Sequence, residues 1–205
     1  MLFVWGKRSY GAVEKVDDVA VKTVFGHLWY LPLFPMASYY VNVKTDAAYQ
    51  LHRINWRSVL CGYLRVWMPV LIALTLIANM NALSQGIGAG SVLFLMITTG
   101  ALAASYVYDR KRVDPLDARL RMLMARHFGV ALDPYACSVS PQVEIDAKMA
   151  AASSLPLDGA WYRAVLKDLF ADRDSVELAL LRARCERQDK ALQQMVLEKL
   201  AAGAA

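Results

Sequence analysis

Between residues 66 and 108 the chain carries no charged side chain, while Arg65 and Asp109 close that run on its two sides. Few folds can accept such a stretch. It divides into LRVWMPVLIALTLIANMNAL, residues 64–83, and GIGAGSVLFLMITTGALAASYVY, residues 86–108. As helices rising about 1.5 Å per residue, each reaches about 30 Å, the thickness of a hydrocarbon core. The alternative is a buried pair of helices in a soluble protein, but two uncharged runs of this length are rare in cores. Only a short polar connection at Ser84 and Gln85 separates the two, so they are expected to form an antiparallel transmembrane hairpin. The hydrophobic fraction of 57% exceeds the roughly 45–50% of ordinary soluble domains and agrees with that reading.

The basic residues give the hairpin a direction. Arg53, Arg57 and Arg65 precede the first span, Arg110, Lys111 and Arg112 follow the second, and the connection has none. The positive-inside rule then puts both termini in the cytoplasm, with an inner membrane as the expected location. Arg57, Arg65, Arg110, Lys111 and Arg112 become the membrane-interface set, facing anionic lipid headgroups. An arginine at the bilayer centre costs about 2.5–3.5 kcal/mol, so Arg65 is expected at the edge, snorkelling to the headgroups. The helix is expected to begin near Asn55, with Trp56, Val59, Leu60, Tyr63, Leu64 and Trp67 along one side. Arg57, Cys61 and Arg65 then line the other. Trp56, Trp67, Tyr106 and Tyr108 suit an aromatic belt, and Pro69 implies a kink or a tolerated proline near the boundary. The opening MLFVWGKRSYG has too short an apolar run for a signal peptide, so the first span is expected to direct insertion.

The second span is rich in small residues. Gly86 and Gly90 form a GxxxG pair, and Gly100 with Ala104 continues the pattern, which lets helix backbones approach closely. Packing on the first span of the same chain is favoured over contact with a second copy. Thr98 and Thr99 can bond their own backbone. No ionisable side chain lies in mid-span, which argues against an ion or proton path within one chain.

Residues 1–54 are expected to form a small cytoplasmic β module. The runs FVW, YGAVEKV, DVAVKTVF, WYLPLF and SYYVNV are apolar or alternating, β-branched, and separated by Gly and Asp-Asp turn signals. Pro32 and Pro35 confine their strand to an edge or a bend. WGKR followed by VFGHLWYLPLFP resembles the framework of small bacterial zinc-ribbon modules, and the arrangement resembles uncharacterised bacterial membrane proteins with such a module ahead of a helical hairpin. The paired cysteines that hold zinc there are absent here. The resemblance therefore implies a metal-free version, with Trp5, Phe25, Trp29 and Phe34 filling the centre. Trp29, Tyr30, Phe34 and Tyr39 are the candidate partner-docking residues.

From residue 109 to 205 the chain reads as a cytoplasmic helical region. Asp114-Pro115, Asp133-Pro134 and Ser140-Pro141 each offer a cap followed by proline. Helices are expected over 115–128, 142–154 and 159–170. A long helix is expected to follow, opened by a capping box at Asp174 and Glu177 and running to about 201. The first should bury Leu116, Leu120, Leu123, Met124 and Phe128 and show Arg119, Arg121 and Arg126, with Gly129 ending it. It either lies on the membrane or packs on the β module. The long helix should bury Leu178, Leu181, Cys185, Leu192, Met195 and Val196. Fifteen Lys/Arg face fourteen Asp/Glu in this region, so the basic balance resides near the membrane and nucleic acid is not an expected partner.

Catalytic motifs are missing from the sequence: no P-loop, GxSxG or HExxH occurs, and Gly86, Gly88 and Gly90 precede a span without a strand before them. His27, His52 and His127 are scattered, and each reads as a structural or surface residue. Cys61, Cys137 and Cys185 form no CxxC pair and read as packing residues. No metal, cofactor or catalytic residue is nominated. The expected architecture is an α+β membrane protein: β module 1–54, hairpin 55–108, helical region 109–205. The expected function is a non-enzymatic membrane adaptor or accessory subunit that binds other subunits of a membrane complex. An oligomeric transport or pore component, assembled through the second span, is the alternative.

Overall fold

A computed structural model of the protein describes residues 5–80, 88–110, 113–152, 158–168 and 171–203, with backbone alone at Asp109 and Arg110. Gly86, Lys111, Arg112, the Ser84–Gln85 connection and the ends of two tail helices at Ser154 and Phe170 lie outside the described residues. The fold is α+β: an antiparallel four-stranded sheet, two long apolar helices and a C-terminal set of helices. The strands β1 (Trp5–Val16), β2 (Val19–Leu28), β3 (Leu31–Asn42) and β4 (Ala48–Gln50) follow in the order of the chain. The helices are α1 (Trp56–Ala78), α2 (Ala89–Arg110), α3 (Pro115–Phe128), α4 (Gln142–Ala152), α5 (Trp161–Lys167), α6 (Arg173–Arg184) and α7 (Lys190–Ala202). These elements gather into two compact units that interleave along the chain.

The first unit comprises residues 1–15, 20–41 and 53–113. β3 runs unbroken through Pro32 and Pro35. β4 has three residues, too few to follow β3 back to its start, so the outer edge of this stretch has no strand to serve and a proline facing it costs no ladder bond. Side chains of α1 bond this stretch: Tyr63 Oη donates to the Leu33 carbonyl (2.6 Å) and Trp67 Nε1 to that of Pro32 (3.2 Å). Phe25 is fully buried in the centre, edge-on to both Tyr10 and Tyr63. The other three aromatics expected there, Trp5, Trp29 and Phe34, are 61–65% exposed. Trp29 lies in the β2–β3 turn, and Phe34 is exposed although Pro32, Ser38 and Tyr40 at the same parity of β3 are buried.

Gly11 lets α1 come close. Its φ of +68° is left-handed, and a Cβ there would stand 1.8 Å from the Ser58 carbonyl oxygen. Ser58 Oγ in turn donates to the Gly11 carbonyl at 2.7 Å. Asn55 caps α1 through its side chain, accepting from the Ser58 N–H (3.1 Å). The face that α1 buries is Ser58, Val59, Cys61 and Gly62, while Trp56 and Leu60 point outward. The helix passes through Pro69 and ends at the Asn79 cap, short of residue 83.

The second unit comprises residues 16–19, 42–52 and 114–205. Asp114 caps α3, with Pro115 at its first position, and Gly129 (φ +74°) ends it. α6 is central: Glu177 to Ala183 are all buried, and α3, α4, α5 and α7 pack around it. The single long helix expected after residue 174 is two, because Asp189 caps a fresh start by accepting from the Leu192 N–H (3.0 Å). Asp172, not Asp174, caps α6, accepting from the Ser175 N–H (3.1 Å). Asp133 does not start a helix; it closes a turn by accepting from the Tyr135 N–H (3.0 Å). Arg121, expected outside, is 3% exposed and donates to the Ala131 and Val19 carbonyls, each at 3.0 Å. Met195 is 37% exposed, outside the buried row that holds Leu192 and Val196.

Candidate functional site

Three places in the molecule gather chemistry worth testing. The first is where α1 meets the sheet and α2. Arg65 bonds within the chain: its Nη1 donates to the Ala12 carbonyl (2.6 Å) and its Nη2 to that of Ser105 (3.1 Å). Its guanidinium also lies 4.5 Å from the Tyr106 ring centroid. Backbone carbonyls and a ring face hold the cation. Arg57 instead pairs with Glu14 at 3.3 Å and lies over Tyr108. Near the other end of the two helices, Ser91 Oγ donates to Asn79 Oδ1 (3.2 Å). Thr98 returns its hydroxyl to the Phe94 carbonyl (2.9 Å). Gly90 and Gly100 do not lie in the α1–α2 contact that the sequence favoured for them. Among the described residues a Cβ at either would meet nothing within 4 Å, and Ala104 is exposed. A shallow groove beside Gly100 is lined by Val92, Leu95, Met96, Thr99 and Ala103.

The second place is the β2–β3 turn. Trp29, Tyr30 and Phe34 are 61%, 56% and 63% exposed; Tyr39 is half-buried. Trp29 (φ +52°) and Tyr30 (φ +66°) are both left-handed. Buried His27 stacks on Tyr30, with ring centroids 5.5 Å apart, and its Nδ1 has no partner among the described residues. The Tyr10 hydroxyl donates to the Tyr30 carbonyl (2.6 Å), and the Arg8 guanidinium lies 5.4 Å from the Tyr30 ring centroid.

The third place is in the helical unit, and sequence reasoning missed it. His127, Asp174 and Glu177 present ligand-type atoms all within 4.8 Å of one another. A metal would need the Glu177 carboxylate, which is already taken. It accepts from Arg126 (2.9 and 3.0 Å), Arg173 (2.9 Å) and His127 Nε2 (2.9 Å), and Arg126 reaches Asp174 at 3.1 Å. Two guanidinium charges stand where a cation would bind, so the group is an ion-pair hub. Burial pushes the Glu177 carboxyl up, but the bonds from Arg173 and His127 and the Arg126 charge outweigh it and hold the group below its ordinary value. Fifty residues separate His127 from Glu177, and no local spacing signals the pairing.

A cleft of about 160 Å³ in the same unit is lined by Met124, Phe128, Leu132, Cys137 and Val139, among others. Burial raises the Cys137 thiol to about 12 and the Cys185 thiol to about 11, leaving both as inert thiols. His52 Nδ1 bonds the Ala136 carbonyl (2.8 Å), a structural contact. Comparison with protein-family models, curated proteins and solved structures gave no match, so the reading of these places rests on their geometry.

Proposed function

We propose that the protein is an integral membrane adaptor or accessory subunit without a reaction of its own. The α1–α2 hairpin anchors it, both termini lie in the cytoplasm, and the helical unit is offered to other subunits of a membrane complex. One observation carries the reading. α1 and α2 are long and apolar enough to cross a bilayer, yet only 11% of the apolar window of each is buried. Leu74, Ile77, Leu93, Phe94, Met96 and Ile97 are 41–63% exposed. A core helix of a soluble protein buries such residues; these need another apolar solvent, and lipid supplies it. The face α1 buries is its small and polar one, the reverse of a soluble amphipathic helix. Anionic headgroups are the partners of Arg110, Lys111 and Arg112, which follow the second span in the sequence.

The test is extraction and partner capture. The chain should stay with membranes through an alkaline carbonate wash and should co-purify in fixed ratio with other membrane proteins after crosslinking in cells. Release by carbonate would overturn the anchor; recovery of the lone chain at every detergent strength would overturn the adaptor.

A second reading has one observation in its favour. The open surface beside Gly90 and Gly100 suits a second copy, as an oligomeric transport or pore component would require. It predicts a ring-like assembly and solute flux in liposomes; a monomer that tolerates Gly90→Leu would exclude it.

A further inference from the structure

The cleft in the helical unit is built by three pieces of chain that lie far apart in the sequence. Leu51 bridges Cys137 in antiparallel register. The Ser138 N–H donates to the Gln50 carbonyl (2.8 Å), and the His52 N–H donates to that of Ala136 (2.9 Å). Two residues along, Tyr49 and Val139 fall on the side of this ladder that Cys137 faces, and all three line the cleft. Met124 and Phe128, one turn apart in α3, form another wall, and Glu144 comes from the first turn of α4. The floor is closed and apolar: Met124, Leu132 and Cys137 are 2–4% exposed, whereas Tyr49 and Val139 are 39% and 82% exposed at the mouth. The volume of about 160 Å³ suits one benzene-sized ring, since apolar cavities of about 150 Å³ take up benzene.

The charges at the cleft decide what such a ring carries. Glu144 and Lys148 are four residues apart on α4, a spacing at which they would ordinarily pair. Lys148 is engaged elsewhere: its ammonium donates to the His127 carbonyl and lies 5.1 Å from the Phe128 ring centroid. Glu144 is left exposed with no partner among the described residues. Every other described carboxylate between residues 113 and 203 has one, in an ion pair, a helix cap, a turn or a side-chain contact. A lone anion therefore lines a ring-sized apolar cleft. Two sulfur-bearing side chains and two aromatic ones line it as well, and both kinds favour an aromatic guest.

We propose that this cleft binds a small organic cation, with one aromatic ring against Met124, Phe128 and Cys137 and an ammonium group on a short arm at the Glu144 carboxylate. The ring replaces water over an apolar floor, and the ammonium supplies the charge that Lys148 withholds. The site lies wholly within the second unit and does not depend on the membrane reading, so either can fail without the other.

Methyl resonances of the full chain, labelled at methionine and held in detergent at neutral pH, test it. The Met124 signal is assigned through Met124→Leu, a swap that conserves volume. Added 2-phenylethylammonium should shift that signal saturably, while Met96 of α2, 61% exposed, reports uptake of the probe by the micelle. 2-Phenylethanol, with the same ring and arm but no charge, should bind about tenfold more weakly. Glu144→Gln should weaken the amine about tenfold and leave the alcohol unchanged; the residue is exposed, so the variant keeps the parent's fold. Val139→Arg sets a cation of the chain's own at the mouth and should abolish the amine-induced shift. No saturation at Met124, or a shift there that only tracks Met96, overturns the cleft as a site. Equal binding of amine and alcohol, or amine binding unchanged in Glu144→Gln or in Val139→Arg, removes the cation from the reading and overturns the proposal.

Discussion

At the scale of single residues, the close approach of β1 and α1 depends on one missing side chain. A Cβ at Gly11 would collide with the Ser58 carbonyl and stand 2.8 Å from the Gly62 nitrogen, in a left-handed conformation that alanine resists. Neither neighbour is the tip of a flexible side chain, so the collision cannot be relieved cheaply. Gly11→Ala is expected to cost about 3 kcal/mol or more, while Gly100→Ala, facing open space, should stay within about 0.5 kcal/mol. Thermal unfolding of the two variants in one detergent measures the difference. Nothing in the local sequence separates these glycines: one precedes an alternating run, the other sits in a small-residue pattern. Only the backbone angle and the neighbouring helix separate them.

At the scale of elements, the helical unit is held together by carboxylates shared between helices. Arg184 of α6 binds Asp133 at 3.0 Å, Asp117 of α3 at 3.4 Å and Gln193 of α7 at 2.9 Å. Arg182, 3% exposed, pairs with Asp146 of α4 (3.0 Å) under Tyr162. Glu177 ties α6 to the end of α3. Its carboxyl lies below its ordinary value of 4.5 in the folded chain. It therefore contributes stability above pH 4.5, and that contribution is lost as the pH falls through the lower folded value. Arg126 and Arg173 are 48% and 81% exposed, so water screens their share, and Glu177→Gln should cost about 1–2 kcal/mol at pH 7. The parent should lose stability as the pH falls below 4.5, and the variant should lose less. Denaturant titrations across that range give both slopes; parallel slopes would count against the hub. The caps of α3 were legible because Asp-Pro and Gly are local signals. The break between α6 and α7 was not, since Asp189 acts as a cap only once α7 turns back to pack on α6.

At the scale of the whole molecule, the chain does not divide where its composition changes. A cut at residue 108 matches the end of the charge-free run, yet the helical unit includes residues 16–19 and 42–52. Arg121 needs the Val19 carbonyl, and Leu51 bridges Cys137. A fragment of residues 109–205 would leave that buried guanidinium with an acceptor fewer and the 136–138 segment without its strand partner. It is expected to show helical far-ultraviolet dichroism but weak near-ultraviolet signal and fast amide exchange, unlike the same residues in the full chain. Slow exchange in the fragment would show that the helical region is self-sufficient.

The sequence by itself determined the apolar helices, the β character of the first 50 residues and the local start and stop of α3, because charge segregation, alternation and caps act over a few residues. The runs WYLPLF and SYYVNV, read apart, are one strand, β3, opened by a turn at Trp29 and Tyr30. Tertiary structure decided the rest. It placed Phe25 inside and Trp29 and Phe34 outside, turned the small face of α1 inward, sheltered Arg65 and Arg121 on carbonyls, and joined His127 to Glu177. Each of those outcomes depends on which surfaces meet, and residues tens of positions apart acquire a common environment only when the chain brings them together.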